Sequence, residues 1–104
     1  MENQPSTQSA PDVYSYLQML HDQGGSDLFL SVGTTGQIKV EGNTRPVNER
    51  VLRQGEVQLM AYQLMTQRQI GDFERDLEMN LAVSVSTSAR FRINVYYQRG
   101  EVSM

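Results

Sequence analysis

Positions 89–100 read Ala-Arg-Phe-Arg-Ile-Asn-Val-Tyr-Tyr-Gln-Arg-Gly. Phe91, Ile93, Val95 and Tyr97 fall at every second position, the period of a strand that buries one face. Arg90, Arg92, Asn94, Tyr96 and Gln98 take the alternate positions, so the other face is polar and cationic. A strand of this kind anchors a core on one side and offers positive charge to a partner on the other. The remainder of the chain has to supply the sheet that it joins.

A chain of 104 residues forms one domain with a single core. Its net charge is −3 and its charged content is 20%, in keeping with a globular chain. Among the basic residues only Lys39 is a lysine; the others are arginines. The acidic balance argues against a protein that coats nucleic acid, which needs a clear positive excess. Zero cysteines exclude disulfides, thiolate metal sites and cysteine nucleophiles, and fit a cytoplasmic chain. No apolar run approaches the roughly 20 residues of a membrane helix, and the first residues lack the basic and apolar regions of a secretory signal.

Residues 1–10 are polar, carry Pro5 and have little to bury, so they read as a disordered lead before a domain at 11–104. From Pro11 a helix is expected, with Val13, Tyr16, Leu17 and Leu20 as its apolar stripe, His21 in its last turn and Gly24-Gly25 as its stop. Residues 27–32 read as a strand with Leu28, Leu30 and Val32 on one face. After the turn residues 33–36, positions 37–41 return as a second strand with Ile38 and Val40 inward. Gly42-Asn43 turns again into a short third strand, 45–47, whose Pro46 marks a sheet edge.

A second helix is expected over 54–65, from Val57, Met60, Ala61, Leu64 and Met65 at helical spacing. Thr66 with Gln69 forms a capping-box pattern that starts a third helix burying Ile70 and Phe73. Its other side, with Arg68, Asp72, Glu74, Arg75 and Asp76, reads as a solvated face of mixed charge. Leu81, Val83 and Val85 alternate as a fourth strand, and residues 86–88 turn into the arginine strand. Gly100 turns the chain into a last strand pattern, 101–104, and a longer parent protein is expected from its stopping there. The class is therefore α+β, with two to three helices on an antiparallel sheet of five to six strands, in the order α-β-β-β-α-α-β-β-β.

Few residues here suit catalysis. Lys39 lies three positions beyond Gly36, inside a strand, whereas a Walker A loop needs Gly-Lys-Ser/Thr leading into a helix. His21 is the sole histidine and sits late in a helix without an orienting carboxylate fixed by the sequence. No spacing of acids forms a metal-ligand set. Met19, Met60, Met65 and Met79 read as core filler. Arg90 and Arg92 admit two readings: a charged face that blocks edge-to-edge aggregation, or forked guanidinium groups that bind carboxylate or phosphate across an interface.

Four blocks carry a family resemblance: Gly25-Ser26-Asp27-Leu28-Phe29-Leu30, Lys39-Val40-Glu41-Gly42, Met65-Thr66-Gln67-Arg68-Gln69, and the arginine strand from Ala89 to Gly100. In this order, from about Val13 to Met104, the chain resembles the N-terminal domain of PilT/PilU-type ATPases, the type IV pilus retraction motors behind twitching motility. It departs from them at Thr35-Gly36, where members carry a Pro pair, and at Lys39, where they carry Arg. Phe29, where many members have His, leans towards the PilU branch.

The resemblance implies a PAS-like domain that precedes a RecA-like ATPase domain in a homo-hexamer. It implies that such a domain packs on the ATPase domain of its own and neighbouring subunits, at the cytoplasmic face of the bacterial inner membrane. There it would contact the pilus machinery, and a PilT-like motor as well. Arg90, Arg92 and Arg99 match arginines that point to the nucleotide interface as sensors, and Asp27, Phe29 and Lys39 are the subunit-interface candidates. ATP and Mg belong to the parent protein; no catalytic residue, cofactor or metal is expected in this stretch. Two rival readings are a free-standing PAS-like sensor, which would need a cavity where the dense apolar stripes point to a filled interior, and the N-terminal module of a related type II secretion or pilus-assembly ATPase.

Overall fold

The computed structural model describes residues 12–86 and 89–104. The expected lead at residues 1–10, the helix start at Pro11, the turn at Thr87 and Ser88 and the Val85 side chain lie outside the described residues. Three helices and six strands follow in the expected order: α1 (Val13–Asp22), β1 (Asp27–Phe29), β2 (Thr35–Val40), β3 (Asn43–Val51), α2 (Glu56–Gln63), α3 (Gln67–Asp76), β4 (Glu78–Ser86), β5 (Ala89–Gln98) and β6 (Glu101–Ser103).

Local chemistry explains the helix bounds. Asp12 caps α1 by accepting the Tyr14 N–H at 3.0 Å, and Val13, Tyr16, Leu17 and Leu20 form its buried stripe. Thr66 and Gln69 close the capping box of α3 in both directions, at 3.2 and 2.9 Å. The second helix is shorter than its apolar pattern implies. It starts at Glu56 behind left-handed Gly55 and ends at Gln63, so Leu64 and Met65 pack against the core from the α2–α3 connection.

The strands form two antiparallel three-stranded sheets, ordered β1-β2-β3 and β4-β5-β6. Glu41 and Gly42, both at positive φ, make the two-residue turn between β2 and β3, one residue before the expected turn; Arg99 and Gly100 do the same between β5 and β6. Two strands differ from expectation. The third is nine residues long, because an irregular register between Thr35 and Gln37 lets its polar second half rejoin β2 at Val51. Pro46 does lie on the edge strand of its sheet. The first strand leaves β2 after Phe29, and Leu30 turns to a new partner. Leu30 N–H donates to the Met104 carbonyl at 2.7 Å and Met104 N–H returns the bond at 3.0 Å. This residue pair ties the two sheets together.

All three helices and both sheets meet in one core. Val57, Met60, Phe73, Ile38 and Val95 are fully buried, with Tyr62 set edge-on to Phe73 at a centroid distance of 6.3 Å. Arg75 pairs with Asp76 at 2.9 Å and with Asp72 at 3.5 Å on the exposed side of α3, as the solvated-face reading expects.

Candidate functional site

Strand β5 is built as its alternation requires. Val95 is fully buried, Phe91 and Ile93 are half-buried, and they pair with Met79, Val83 and Leu81 of β4 on the core face. Tyr97, of the same set, is half exposed and lies 6.5 Å from Phe73 between ring centroids. On the outer face Arg90 stands opposite Ser84 and Arg92 opposite Ala82, two short side chains that leave the guanidinium groups room to extend. Arg90, Arg92 and Arg99 are all exposed, and among the described residues no carboxylate pairs with them. Arginines without an intramolecular partner retain their donors for a group outside the domain.

The structure separates these three candidates. Arg90 and Arg92 line a groove of about 420 Å³ between α1, β1 and β5, together with Leu17, Asp27 and Leu28. Arg99 sits in the β5–β6 turn and lines a different cleft, of about 230 Å³, with Ser31, Gln98 and Glu101. Seven strand positions separate Arg92 from Arg99, roughly 23 Å at 3.3 Å per residue. One compact phosphate group can reach the first pair or Arg99, not both ends at once.

The other three candidates share a patch. Asp27 and Lys39 are cross-strand partners, and Phe29 lies two residues along β1 on the same outer face. Phe29 is 47% exposed, a large aromatic ring left in solvent. The Asp27 carboxylate accepts the Ser26 hydroxyl at 2.8 Å, which fixes it at the mouth of the groove that Arg90 and Arg92 line. The acidic and basic candidates therefore border one groove.

Val13, Leu17, Leu28, Leu30, Ile93 and Met104 surround a further space of about 80 Å³ that continues under the groove. Val13, Leu17, Leu28, Leu30 and Ile93 each read from the sequence as apolar stripe or strand-face residues, and no local pattern marks them as lining an opening. Among the described residues the first half of β5 pairs with β4 alone, and the space lies on its other side.

Among the described residues no group of three or more acidic or histidine side chains is placed to hold a metal ion, and no helix is long and apolar enough to cross a membrane. The Gly33–Gly36 segment leads into β2 and is held by bonds between Gly33 N–H and the Leu52 carbonyl and between Leu52 N–H and the Thr34 carbonyl, at 2.8 and 2.9 Å. It is a sheet connection, as its sequence implies.

No family model matches the chain. Individual relatives do. The chain is 34% identical over 88 residues to the type IV pilus ATPase PilU of Pseudomonas aeruginosa, and 37% identical over 87 residues to the type IV pilus retraction ATPase PilT of the same organism. These matches take in 85% and 84% of the chain but 23% and 25% of the relatives, so the chain spans about a quarter of their length. In fold it superposes on the pilus retraction motor PilT with bound ADP at a TM-score of 0.80 and 24% identity, over 89% of this chain and 27% of that one. It also superposes on the ATPase DotB of Legionella pneumophila at a TM-score of 0.71 and 14% identity, over 97% of this chain and 29% of the other. The likeness to PilT and PilU read from the sequence blocks is thus shown along most of the chain, and the α+β architecture is that of the corresponding part of PilT.

Proposed function

We propose that this chain is the N-terminal, non-catalytic domain of a type IV pilus retraction ATPase, which helps to assemble subunits and transmits ATP-driven motion between them. The observation that carries this reading is the 34–37% identity to PilU and PilT along most of the chain, in a stretch that is a quarter of their length. The nucleotide site, with ATP and Mg, would then lie in a RecA-like domain elsewhere in the parent chain. Phe29 supports a PilU-like branch, although the two identities are alike.

In this reading the parent is a homo-hexamer at the cytoplasmic face of the inner membrane. Arg90 and Arg92, exposed and unpaired among the described residues, face phosphate charge at a subunit junction. Guanidinium groups placed there would stabilise developing negative charge and make domain position sensitive to nucleotide state. Arg99, at the far end of β5, would serve a separate contact. Asp27, Phe29 and Lys39 form the patch that meets a neighbouring subunit.

The test is ATP turnover by the full-length hexamer carrying Arg92→Ala, beside a thermal melt of the same protein. A fall in turnover with an unchanged melt supports the reading. Unchanged turnover for Arg90→Ala, Arg92→Ala and their combination would overturn the sensor role. The fold of DotB keeps a related secretion ATPase as the second reading, and complementation of a retraction-deficient strain distinguishes the two.

A further inference from the structure

Strands β3 and β4 each form an edge of their sheet, and the two edges are built differently. On β3 the two-residue turn at Glu41 and Gly42 makes Val40–Asn43 a bonded pair, so Thr44 and Pro46 direct their backbone groups away from β2. Pro46 has no N–H to offer there, Arg45 and Arg50 bring charge, and the register breaks beyond Pro46. Features of this kind keep an edge from pairing with another strand. Strand β4 has none of them over Glu78–Ser84. A regular register runs along β5 without proline or a basic side chain, and Glu78 is the one charge.

The direction of the β4 bonds follows from β5. Tyr97 N–H donates to the Leu77 carbonyl at 3.1 Å, and bonded pairs recur at every second residue. Met79, Leu81 and Val83 therefore bond Val95, Ile93 and Phe91. Glu78, Asn80, Ala82 and Ser84 direct their N–H and C=O groups to the open side, where none of the described residues bonds them. Their side chains are exposed, on the same face as Arg90 and Arg92.

We propose that this edge is the seat of β4 from a second copy of the chain, antiparallel about a two-fold axis at Leu81, so that the β4-β5-β6 sheet continues across both copies. The strand is complementary to itself in this register. Glu78 of each copy pairs with Ser84 of the other and Asn80 with Ala82, so every outward residue is bonded. A slip of two residues sets Ser84 against Asp76 of α3 in one direction, and Glu78 against Ser86 beyond the register shift in the other. On the core side Leu81 meets its own copy, and Met79 meets Val83, which covers two half-buried apolar side chains.

Charge supports the same register. Ser84 stands between Arg90 of its own β5 and Glu78 of the other copy. The two charged residues are then two strand spacings apart, about 10 Å between Cα atoms. An extended arginine and a glutamate span that distance over a serine side chain, and the symmetry makes the pair twice. Ala82 likewise lies between Arg92 and Asn80 of the other copy, so Arg92 meets no carboxylate and keeps the role proposed above. The short side chains opposite the arginines are what lets a charge from one more strand reach them.

A two-fold contact closes on itself, unlike the head-to-tail contacts that close a ring, so in the hexameric reading it joins one hexamer to another. The inference needs only the β4 edge and is separate from the motor reading. This stretch holds no cysteine. In full-length protein without cysteines elsewhere, Asn80→Cys mixed with Ala82→Cys is expected to form a disulfide between copies, because bonded pairs stand about 5.5 Å Cα to Cα. Neither variant alone is expected to link. The sedimenting mass of the full-length protein is expected to double as concentration rises. Glu78→Arg is expected to raise the concentration needed at least about tenfold, and Glu78→Arg with Arg90→Glu to restore it.

A mixture that does not link, a single variant that links by itself, or a mass that stays fixed with concentration overturns the proposal. So does a charge swap that fails to restore association. Slow exchange of the Asn80 and Ala82 amides that is unchanged by dilution also overturns it, by assigning the edge to another part of the same molecule. ATP turnover is not read in any of these measurements, so their failure leaves the motor reading standing.

Discussion

Arg50 and Glu56 are joined by a two-pronged ion pair, Nη2 to Oε2 at 2.7 Å and Nη1 to Oε1 at 3.2 Å, while the Arg53 N–H donates to the same Oε1 at 2.7 Å. The pair pins the end of β3 to the first turn of α2, whose cap residue Gly55 has no side chain to offer. Glu56 is 8% exposed and is the buried acid of the domain's described residues.

The acid limb of stability should therefore report Glu56. Burial pushes its carboxyl up, but the Arg53 N–H and the Arg50 guanidinium together outweigh burial and hold it below its ordinary value of 4.5. A lowered folded value means that the contribution is complete above the unfolded value and is lost as pH falls through the folded one. Chemical denaturation between pH 7 and pH 3 should show stability falling below about pH 4.5, and Glu56→Gln should flatten that fall. At pH 7 the same change should cost about 1.5–3 kcal/mol, the range for a hydrogen bond to a charged group.

Tyr16 and Gly36 make a second, oppositely signed pair of tests. The Tyr16 hydroxyl is buried and has no hydrogen-bond partner. Tyr16→Phe should raise stability by about 1 kcal/mol by removing a desolvated polar group, a gain of roughly 4–8 °C in melting temperature. The ring lies so close to β2 that a Cβ at Gly36 would stand 2.7 Å from Tyr16 Cε1 and 3.1 Å from Leu30 Cδ2. Gly36→Ala should cost about 1–3 kcal/mol through overpacking, and combining it with Tyr16→Phe should not recover that loss, because the clash is with ring carbon.

Phe73 is the aromatic hub of the helical side, fully buried between Tyr62 and Tyr97. Phe73→Ala should cost about 3–5 kcal/mol, measured by denaturant unfolding. A smaller loss would mean that α3 collapses onto β4 to refill the space.

Arg92→Ala should leave the melt within about 0.5 kcal/mol, since the side chain is exposed and unpaired among the described residues. A large loss would assign Arg92 to the fold rather than to a partner.

Local chemistry was readable where it acts over a few residues. The Thr66–Gln69 box, the α1 stripe and the two-faced β5 all follow from spacing alone. Pairing between distant segments was not readable. Leu30 and Val32 continue the alternation of β1, yet the strand ends at Phe29 because its next partner comes from the far end of the chain. The second half of β3 carries no strand signal in the sequence, because Asn48, Glu49 and Arg50 are polar residues on an edge strand. For the site, residue type marks the arginines as cations for an exposed face, but their division between two clefts depends on which distant segments meet β5: α1 and β1 beside Arg90 and Arg92, Ser31 and Val32 beside Arg99.

The two bonds between Leu30 and Met104 also set how the domain would carry load. A pull on Met104 along its strand strains both bonds together, and passes at once to β5 through Ser103 and to β1 through Leu30. Tension delivered there is borne in parallel by two halves of the molecule, so the first yielding event should be a concerted slip and not a sequential peeling of one hairpin.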